Sequence, residues 1–345
     1  MQLEELTDRL VPFVQAKYTD DSARVFDIHL MPGHAGFAYG FSVEAGKKNS
    51  RHIDSWFLRL PPPSVNWRGT ADVLRQVEIL GALDGTGIPH CEVRWSAAGS
   101  PDIYKQELEW FGRPYFVVPK LKGDVIRLAP GDWGHELSLE RRQKLGKQVM
   151  RALADIHTIK WQGRLDYLGA PVALHDDVTR WDRLLEKSAD PQRLKDAPKV
   201  RERLLAKLPK DSSVGVFHGD FQIANLFCSS QAKLLAVIDW ELVGIGATLN
   251  DLGWITIFSD PLAWHASADR HMFLDPETLI DYYTEASGKS VPQIAWFQAL
   301  AAYKFALISG FNLGLHRRGK REDPMWEDAR FSMNTLIARA LELLA

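Results

Sequence analysis

The feature that most constrains the fold is a change of hydrophobic pattern near Lys122-Gly123-Asp124. Before this point, short apolar stretches bounded by Gly and Pro predict strands, whereas after it apolar residues recur at helical spacing. A chain of 345 residues is also longer than a single compact core usually supports. We therefore predict a strand-rich first domain, residues 1–121, and a largely helical second domain, residues 122–345.

The first domain is predicted to contain five short strands with one helix inserted after the third. An amphipathic helix over residues 3–14 leads into it. The inserted helix covers residues 74–83, with Thr70 or Asp72 as its N-cap. The predicted strands are residues 25–30, 37–45, 56–60, 90–96 and 115–121.

The second domain is predicted to be helical, with a few short apolar strands packed among the helices. The most apolar stretch, residues 294–315, is interrupted by Lys304, so we predict a buried helix and no membrane span. The predicted helices are residues 138–156, 176–188, 195–208, 275–288, 291–314 and 324–344, and the strands are residues 214–217, 225–228 and 234–240.

Charge and cysteine content exclude several functional classes. The formal net charge is −2, so the chain has no field that would attract a nucleic acid. Cys91 and Cys228 lie far apart, which excludes a disulfide scaffold and a cysteine-based zinc site and is typical of a reducing compartment. The acidic start, Met-Gln-Leu-Glu-Glu-Leu, is unlike a signal peptide, and we expect a cytoplasmic protein.

The segment from His218 to Asn225 carries the main chemical signal. Phosphoryl transfer from a nucleotide needs a carboxylate that orients the attacking hydroxyl, and oxygen ligands for Mg²⁺ on the phosphates. Asp220 lies five residues before Asn225 on a predicted loop, so that both side chains can reach one cleft. Asp239, at the end of the next apolar strand, adds a carboxylate oxygen, the ligand type that Mg²⁺ prefers.

This loop, His218-Gly219-Asp220 followed by Asn225, resembles the aminoglycoside phosphotransferase family, whose loop reads roughly His-Gly-Asp-x-x-x-x-Asn. Asp239-Trp240-Glu241, followed by Asn250-Asp251-Leu252-Gly253, is similar to a branch that includes the kinase-like domains of some acyl-CoA dehydrogenases. That branch has Gly-Asp-Pro where this chain has Gly246-Ala247-Thr248, which leaves the role of Asp251 open. The resemblance covers about residues 25–260.

The resemblance implies an α+β, protein-kinase-like bilobal fold. Its small N-lobe would be a five-stranded antiparallel sheet with one helix that binds the nucleotide, and its larger, mostly helical C-lobe would bind substrate. It also implies that Asp220 is the catalytic carboxylate and that Asn225 and Asp239 bind Mg²⁺. The expected reaction transfers the γ-phosphoryl group of ATP or GTP to the hydroxyl of a small molecule.

A kinase-like fold also implies a cation on the third strand that contacts the nucleotide phosphates, and a Glu on the next helix that holds it. Arg59 and Glu78 stand at these positions. The family commonly has Lys on the strand, whereas this branch often has Arg. Arg keeps the charge and can bind phosphate through two parallel hydrogen bonds. Read alone, either residue would be an ordinary surface charge, but together with the loop they predict a phosphate contact.

Two further segments are expected to contact the nucleotide. Gly33 and Gly36 lie between the first two strands, where the fold covers the phosphates, although a plain hairpin turn explains them nearly as well. The segment with Val118 and Lys120 is expected to be the hinge that receives the base through backbone groups. Pro119 replaces a family residue there and has no backbone N–H, which leaves ATP and GTP both open as donors.

The two alternatives to an active small-molecule kinase are a pseudokinase scaffold and a protein kinase. A nucleotide-binding pseudokinase that acts as a scaffold would usually have lost the catalytic or the metal-binding Asp, and this chain keeps Asp220, Asn225 and Asp239. A protein kinase would have Asp-Phe-Gly and Ala-Pro-Glu segments, which the sequence lacks. The enzyme is therefore favoured, with the scaffold as the alternative.

The acceptor is expected to bind against the late helices of the second lobe. Residues 291–321 contain no Asp or Glu, so aminoglycoside antibiotics, which carry several positive charges, should be poor substrates. An acceptor with an apolar body and an anionic end, such as a hydroxyacyl compound, fits better. Alternatively, the basic residues only complement a helix C-terminus and the aromatic residues pack the core. The basic residues are Lys304, Arg317, Arg318, Lys320 and Arg321, and the aromatic ones are Trp296, Phe297, Tyr303, Phe305 and Phe311.

Overall fold

The structure is a computed structural model that describes residues 3–31, 37–47, 50–63, 65–265 and 272–345. The chain forms two compact units. The first consists of Met1–Gly123 and Leu235–Val243, and the second of Asp124–Leu234 and Gly244–Ala345. The segment 235–243, which the sequence prediction assigned to the second domain, therefore belongs with the first.

Hydrogen bonds within the first unit explain why it includes the segment 235–243. The backbone N–H of Val237 donates to Pro89 O at 2.9 Å, and Arg75 Nε donates to Val243 O at 2.8 Å. Trp240 is 1% exposed, and its indole N–H donates to Val237 O. The contacts with Pro89 and Arg75 join residues distant in sequence, so no local pattern could have predicted them.

The first unit contains the predicted five-stranded antiparallel sheet. Its strands lie in the order β1-β2-β3-β5-β4. The fourth strand is shorter than predicted, because residues 90–94 do not form regular strand. The strands are β1 (Arg24–Leu30), β2 (Ala38–Ala45), β3 (His52–Arg59), β4 (Trp95–Ser96) and β5 (Phe116–Pro119).

Three helices accompany this sheet: α1 (Leu3–Tyr18), α2 (Val73–Leu83) and α3 (Pro101–Phe111). One helix was predicted within the sheet-rich lobe, and α3 was not predicted. Its start signal was present, because the Ser100 side chain accepts the Ile103 N–H and Pro101 occupies the first turn. Apolar side chains of α1, the sheet and the end of α3 form the core of this unit.

The second unit is mostly helical, as predicted, but it contains a helix that was not expected. This helix, α8, follows the Asp239 segment and is almost entirely buried, so it lacks the amphipathic pattern that reveals surface helices. The helices are α4 (Leu139–Ile156), α5 (Leu174–Thr179), α6 (Asp182–Glu186), α7 (Ala197–Ala206), α8 (Leu249–Phe258), α9 (Pro276–Ser287), α10 (Ile294–Arg317), α11 (Met325–Ala329) and α12 (Met333–Leu343).

Short strands connect these helices. β6 pairs antiparallel with β8, and β7 pairs antiparallel with β10. The last of these strands was not predicted, because a Gly-Ile-Gly-Ala segment has little strand propensity. These strands are β6 (Asp124–Val125), β7 (Val214–Phe217), β8 (Leu226–Cys228) and β10 (Gly244–Ala247), whereas all of β9 (Leu234–Val237) after its first residue belongs to the first unit.

The long apolar helix α10 forms the centre of the second unit, where it packs against α8 and α12. By length and composition it could cross a membrane, but 72% of its most apolar window is buried inside the unit, as expected of a core helix. Gly253 allows α8 to approach closely, because a Cβ atom there would lie 2.6 Å from the backbone of Phe297. Close packing of these two helices fixes the position of α8.

Candidate active site

The loop with the predicted catalytic carboxylate lies between two strands of the second unit. β7 ends at Phe217, and Gly219 then adopts a φ of 90°, which favours glycine. A short 3₁₀ turn, Ile223–Asn225, leads into β8. The two strands thus hold the loop at both ends and bring Asp220 and Asn225 into direct contact.

Three side chains donate hydrogen bonds to the carboxylate of Asp220. Asn225 Nδ2 donates to Oδ2 at 2.9 Å and also to the backbone oxygen of Asp220 at 2.9 Å. Gln222 Nε2 is shared between Oδ1 at 2.9 Å and Oδ2 at 3.1 Å. Trp254, on α8, donates its indole N–H to Oδ1 at 2.7 Å. The carboxylate therefore has a defined orientation, which a group that must orient a hydroxyl requires.

Burial raises the pKa of Asp220 above its usual range. The charge of His218 and the three donated hydrogen bonds oppose this effect, because they favour the ionised form. A carboxylate with a raised pKa is a stronger base than an exposed one, which suits it to accept a proton from a hydroxyl.

Asp251 anchors the backbone of the same loop. Its carboxylate accepts the N–H of His218 at 2.6 Å and the N–H of Gly219 at 2.8 Å, and the residue has no exposed surface. The sequence left the role of Asp251 open because the Gly-Asp-Pro turn is missing. In the structure the residue positions the loop that carries Asp220.

His157 links this anchor to two other helices. Its Nε2 lies 3.3 Å from Asp251 Oδ2, and its Nδ1 lies 2.8 Å from the hydroxyl of Tyr283 on α9. His218 is fully buried, and its Nδ1 accepts the Asp220 N–H at 3.2 Å. Both histidines thus brace the loop.

The predicted metal ligand Asp239 lies in the first unit, directly after β9. It has φ 63° and ψ 58°, the left-handed region that few residues other than Gly adopt. Asp tolerates this region better than most, and such outliers cluster at functional sites. Among the described residues, no side chain or backbone group donates a hydrogen bond to its carboxylate, so that both oxygens can bind a ligand.

Arg59, at the end of β3, pairs with a different acid from the one predicted. Its Nη2 lies 3.2 Å from Glu241 Oε2, and both side chains are partly buried. Within the described part of the chain, Glu78 makes no ion pair with Arg59. Burial and the nearby charge of Asp72 raise the pKa of Glu78, which is consistent with a carboxylate that has no cation beside it. The expected Arg59–Glu78 pair is therefore replaced by an Arg59–Glu241 pair.

The remaining predicted nucleotide contacts lie in the sheet or outside the described residues. Val118 is buried and lies opposite Phe57 in the β3–β5 ladder. The backbone N–H of Lys120 donates to Ser55 O at 2.8 Å. Val118 thus lies in β5 and Lys120 directly follows its last residue, where a hinge is expected, and their contacts with a base remain predictions. Gly33 and Gly36 fall outside the described residues.

Comparison with known proteins identifies the family of this chain. Residues 39–296 match the model of the phosphotransferase enzyme family, which is most of the chain. The chain belongs to this family. The acyl-CoA dehydrogenase family member 11 of Pongo abelii is 25% identical to this phosphotransferase family member over 285 residues, which cover 77% of this chain but 35% of that protein. The chain thus spans about a third of the length of such relatives, and the predicted branch is confirmed.

Solved structures confirm the predicted protein-kinase-like α+β fold. A candidate aminoglycoside phosphotransferase of Ralstonia eutropha has a TM-score of 0.72 at 17% identity, covering 97% of this chain and 98% of that one. An aminoglycoside phosphotransferase mutant in a ternary complex with ADP and hygromycin B has a TM-score of 0.58 at 14% identity, covering 96% and 98%.

Two predicted site residues of this phosphotransferase family member carry oxygen atoms of the kind that bind a hard cation. Asn225 uses Nδ2 for its two bonds to Asp220, which leaves the amide oxygen as the atom that can bind a metal. Asp239 offers a carboxylate, and oxygen donors of these two kinds suit Mg²⁺. Within the described residues there is no cluster of three His, Cys, Asp or Glu side chains that could hold a metal ion.

Two of the five basic residues expected to face an anionic acceptor are paired with acids. Lys304 is buried, and its Nζ donates to Asp177 Oδ2 at 2.8 Å. Arg317 forms two hydrogen bonds with Glu327. Neither acidic partner was predicted, because both lie outside residues 291–321. The expectation of an anionic end on the acceptor therefore loses two of its five supporting cations.

The aromatic residues of the same region divide into fully buried and partly buried side chains. Trp296, Phe297 and Tyr303 are almost fully buried, as the core interpretation predicts. Phe305 is half-buried and lies 6.0 Å from Trp254 and 4.9 Å from Phe258 between ring centroids. We call Trp254, Phe258 and Phe305 the aromatic wall. It is continuous with Asp220 through the Trp254 hydrogen bond, a feature that the sequence did not reveal.

A surface groove of about 460 Å³ lies elsewhere in the first unit, lined partly by Tyr18, Asp54 and Trp56. Its polar groups bind each other: the Tyr18 hydroxyl donates to Asp54, and Trp56 Nε1 donates to the Tyr18 oxygen. None of the predicted site residues lines this groove, and we assign it no part in the chemistry.

Proposed function

We propose that this family member transfers the γ-phosphoryl group of ATP or GTP to a hydroxyl group of a small molecule. The observation that carries the proposal is the Asp220 carboxylate, which three donors orient on a loop that Asp251 anchors. This degree of preorganisation is what a reaction that depends on positioning requires. The ADP complex of a structural relative supports a nucleotide as the donor.

Each proposed site residue has a separate task. Asp220 accepts the hydrogen bond of the attacking hydroxyl and takes its proton as the bond to phosphorus forms. Asn225 and Asp239 are the proposed Mg²⁺ ligands, and Arg59 binds phosphate oxygens. Mg²⁺, when bound, neutralises charge on the phosphates. Nucleotide binding at Arg59 would compete with its bond to Glu241, because the guanidinium must turn toward the phosphates.

The aromatic wall supports an acceptor with an apolar body. Apolar contact with Phe258 and Phe305 would place a hydroxyl-bearing molecule beside the indole that contacts Asp220. Lys304 pairs with Asp177 and Arg317 with Glu327, so these two cations already have anionic partners within the chain. Polycationic antibiotics remain poor candidates, since the three side chains of the aromatic wall are uncharged and cannot form ion pairs with several positive charges.

A phosphorylation screen tests the proposed function. The full chain would be incubated with ATP or GTP, Mg²⁺ and a library of hydroxylated metabolites, and mass spectrometry would detect products heavier by one phosphoryl group. We expect turnover of apolar hydroxylated compounds, and none by the Asp220→Asn variant. Magnesium-dependent nucleotide binding without any turnover would instead support the pseudokinase scaffold.

A comparison of acceptors tests the charge argument. Steady-state rates for kanamycin-like cations and for neutral or acidic hydroxylated compounds would be measured at one ionic strength. We expect kcat/KM to be lower for the cations. Efficient turnover of the cations would show that the aromatic wall is not the acceptor surface.

A further inference from the structure

One turn of α8 contacts both the backbone of the loop and its Asp220 side chain. Asp251 accepts the backbone N–H groups of His218 and Gly219, and Trp254, three residues later, donates to the Asp220 carboxylate. Residues three apart lie on the same face of a helix. A single helix face therefore sets both the backbone of the loop and the orientation of its carboxylate.

The three donors on Asp220 differ in how firmly they are held. Trp254 is 7% exposed and packs in the aromatic wall, so its indole is fixed. Asn225 is 8% exposed and has a second bond to the Asp220 backbone. Gln222 is half-buried, and within the described residues the Asp220 carboxylate is the only side-chain partner of its amide. Gln222 is therefore the donor that can leave most easily.

The carboxylate has no vacant position for an additional donor. Oδ1 accepts from Trp254 and Gln222, whereas Oδ2 accepts from Gln222 and Asn225. A carboxylate oxygen has about two lone-pair sites. An acceptor hydroxyl must therefore displace one of these donors before Asp220 can bind it.

We propose that Trp254 is a positioning residue that fixes Asp220, and that the acceptor hydroxyl replaces the Gln222 amide on the carboxylate. This inference rests on the proposed function. The hydroxyl donates to the oxygen that Gln222 leaves, and its proton passes to Asp220 while its oxygen bonds to the γ-phosphorus. The bond from that phosphorus to the bridging oxygen breaks, and the nucleoside diphosphate leaves with the electron pair. Trp254 and Asn225 hold the carboxylate throughout.

The contact itself can be tested without turnover. The indole resonance of Trp254 is identified as the signal that disappears from the ¹H–¹⁵N spectrum of the full chain in the Trp254→Phe variant. We expect Asp220→Asn to shift that resonance and to leave the Trp296 indole unchanged, because Trp296 donates to Leu204 O. An unshifted Trp254 resonance would overturn the proposed contact. Because this measurement needs no acceptor, it separates a failure of the inference from a failure of the proposed function.

Steady-state kinetics with an acceptor found in the phosphorylation screen test the proposed roles of Trp254 and Gln222. Loss of one hydrogen bond to a charged group predicts a fall of kcat by roughly tenfold to a hundredfold in Trp254→Phe. The nucleotide Kd should stay within about twofold of wild type, since Trp254 contacts Asp220 and the other two residues of the aromatic wall and is assigned no nucleotide contact. Gln222→Ala removes the competing donor, so we expect a lower acceptor KM and a smaller loss of kcat than in Trp254→Phe.

Trp296→Phe is the matched control, because it also removes a buried indole that donates to a single oxygen. Equal losses of kcat in Trp296→Phe and Trp254→Phe would show that the indole contributes stability alone. A raised acceptor KM with unchanged kcat in Trp254→Phe would limit that residue to apolar contact. A loss of kcat in Gln222→Ala as large as that in Trp254→Phe would overturn the exchange at Gln222.

Discussion

The loop with Asp220 and the segment with Asp239 hold their carboxylates in different ways. Asp220 accepts hydrogen bonds from three side chains on the loop and on α8. Asp239 has no such donor among the described residues, and its direction is set by a left-handed backbone conformation. The first carboxylate is therefore positioned by neighbouring side chains, and the second by the main chain.

This difference suits the two proposed tasks. A base must present one oxygen to a hydroxyl in a narrow range of directions, so restraint by hydrogen bonds is useful. A metal ligand needs free lone pairs, and donors on its oxygens would compete with the ion. Substitutions of neighbouring side chains should thus affect Asp220 strongly, whereas Asp239 should respond to changes of its own charge and backbone.

The largest expected effect is that of Asp220→Asn. The amide can still accept a hydrogen bond but cannot take the proton, so kcat should fall by about a hundredfold or more. Nucleotide affinity should change little, because the residue is assigned no phosphate contact. Measured turnover and nucleotide Kd together check this. Activity comparable to wild type would remove Asp220 from the mechanism.

Asp239→Asn tests the other side of the comparison. Asn also tolerates the left-handed region, so the backbone should be kept while the charge on the proposed Mg²⁺ ligand is lost. We expect the gain in nucleotide affinity that Mg²⁺ provides to drop by about tenfold or more. Calorimetric titration with and without Mg²⁺ measures it. Glu241→Gln is the control, and a metal dependence lost only in that variant would make Glu241 the ligand.

Asp251→Asn should destabilise the loop more than it alters nucleotide binding. One carboxylate oxygen becomes an amide that cannot accept the backbone N–H of His218 or Gly219, which leaves a buried donor unpaired. Such a group costs about 1–3 kcal/mol, which lowers the melting temperature. Thermal denaturation measures the change against Asp281→Asn, an exposed position on α9. Equal melting temperatures would show that Asp251 does not anchor the loop.

The sequence predicted the sheet and the later helices because each leaves a local signal. Helix caps such as Asp72 and Ser138 and the spacing from Asp220 to Asn225 are read within a few residues. Trp254 and the Glu241 partner of Arg59 were missed, because these contacts join residues 34 and 182 positions apart. The buried helix α8 was missed for a related reason: a helix that is apolar on all faces has no periodic pattern to detect.

The smallest expected effect concerns Arg59 and its partner. A double-mutant cycle would measure the free energy of unfolding without nucleotide. We expect a coupling energy of roughly 0.2–1 kcal/mol between Arg59→Ala and Glu241→Ala, the usual range for a partly exposed ion pair. The effects of Arg59→Ala and Glu78→Ala should be additive, since no contact joins these two residues in the described part of the chain.

Nucleotide should reduce the coupling energy between Arg59 and Glu241, because phosphate competes for the guanidinium. Repeating both cycles at saturating nucleotide measures this exchange. Coupling to Glu78 that emerges only with nucleotide bound would mean that the family pairing forms in the ligand complex, and coupling to Glu78 alone in both states would contradict the Arg59–Glu241 contact.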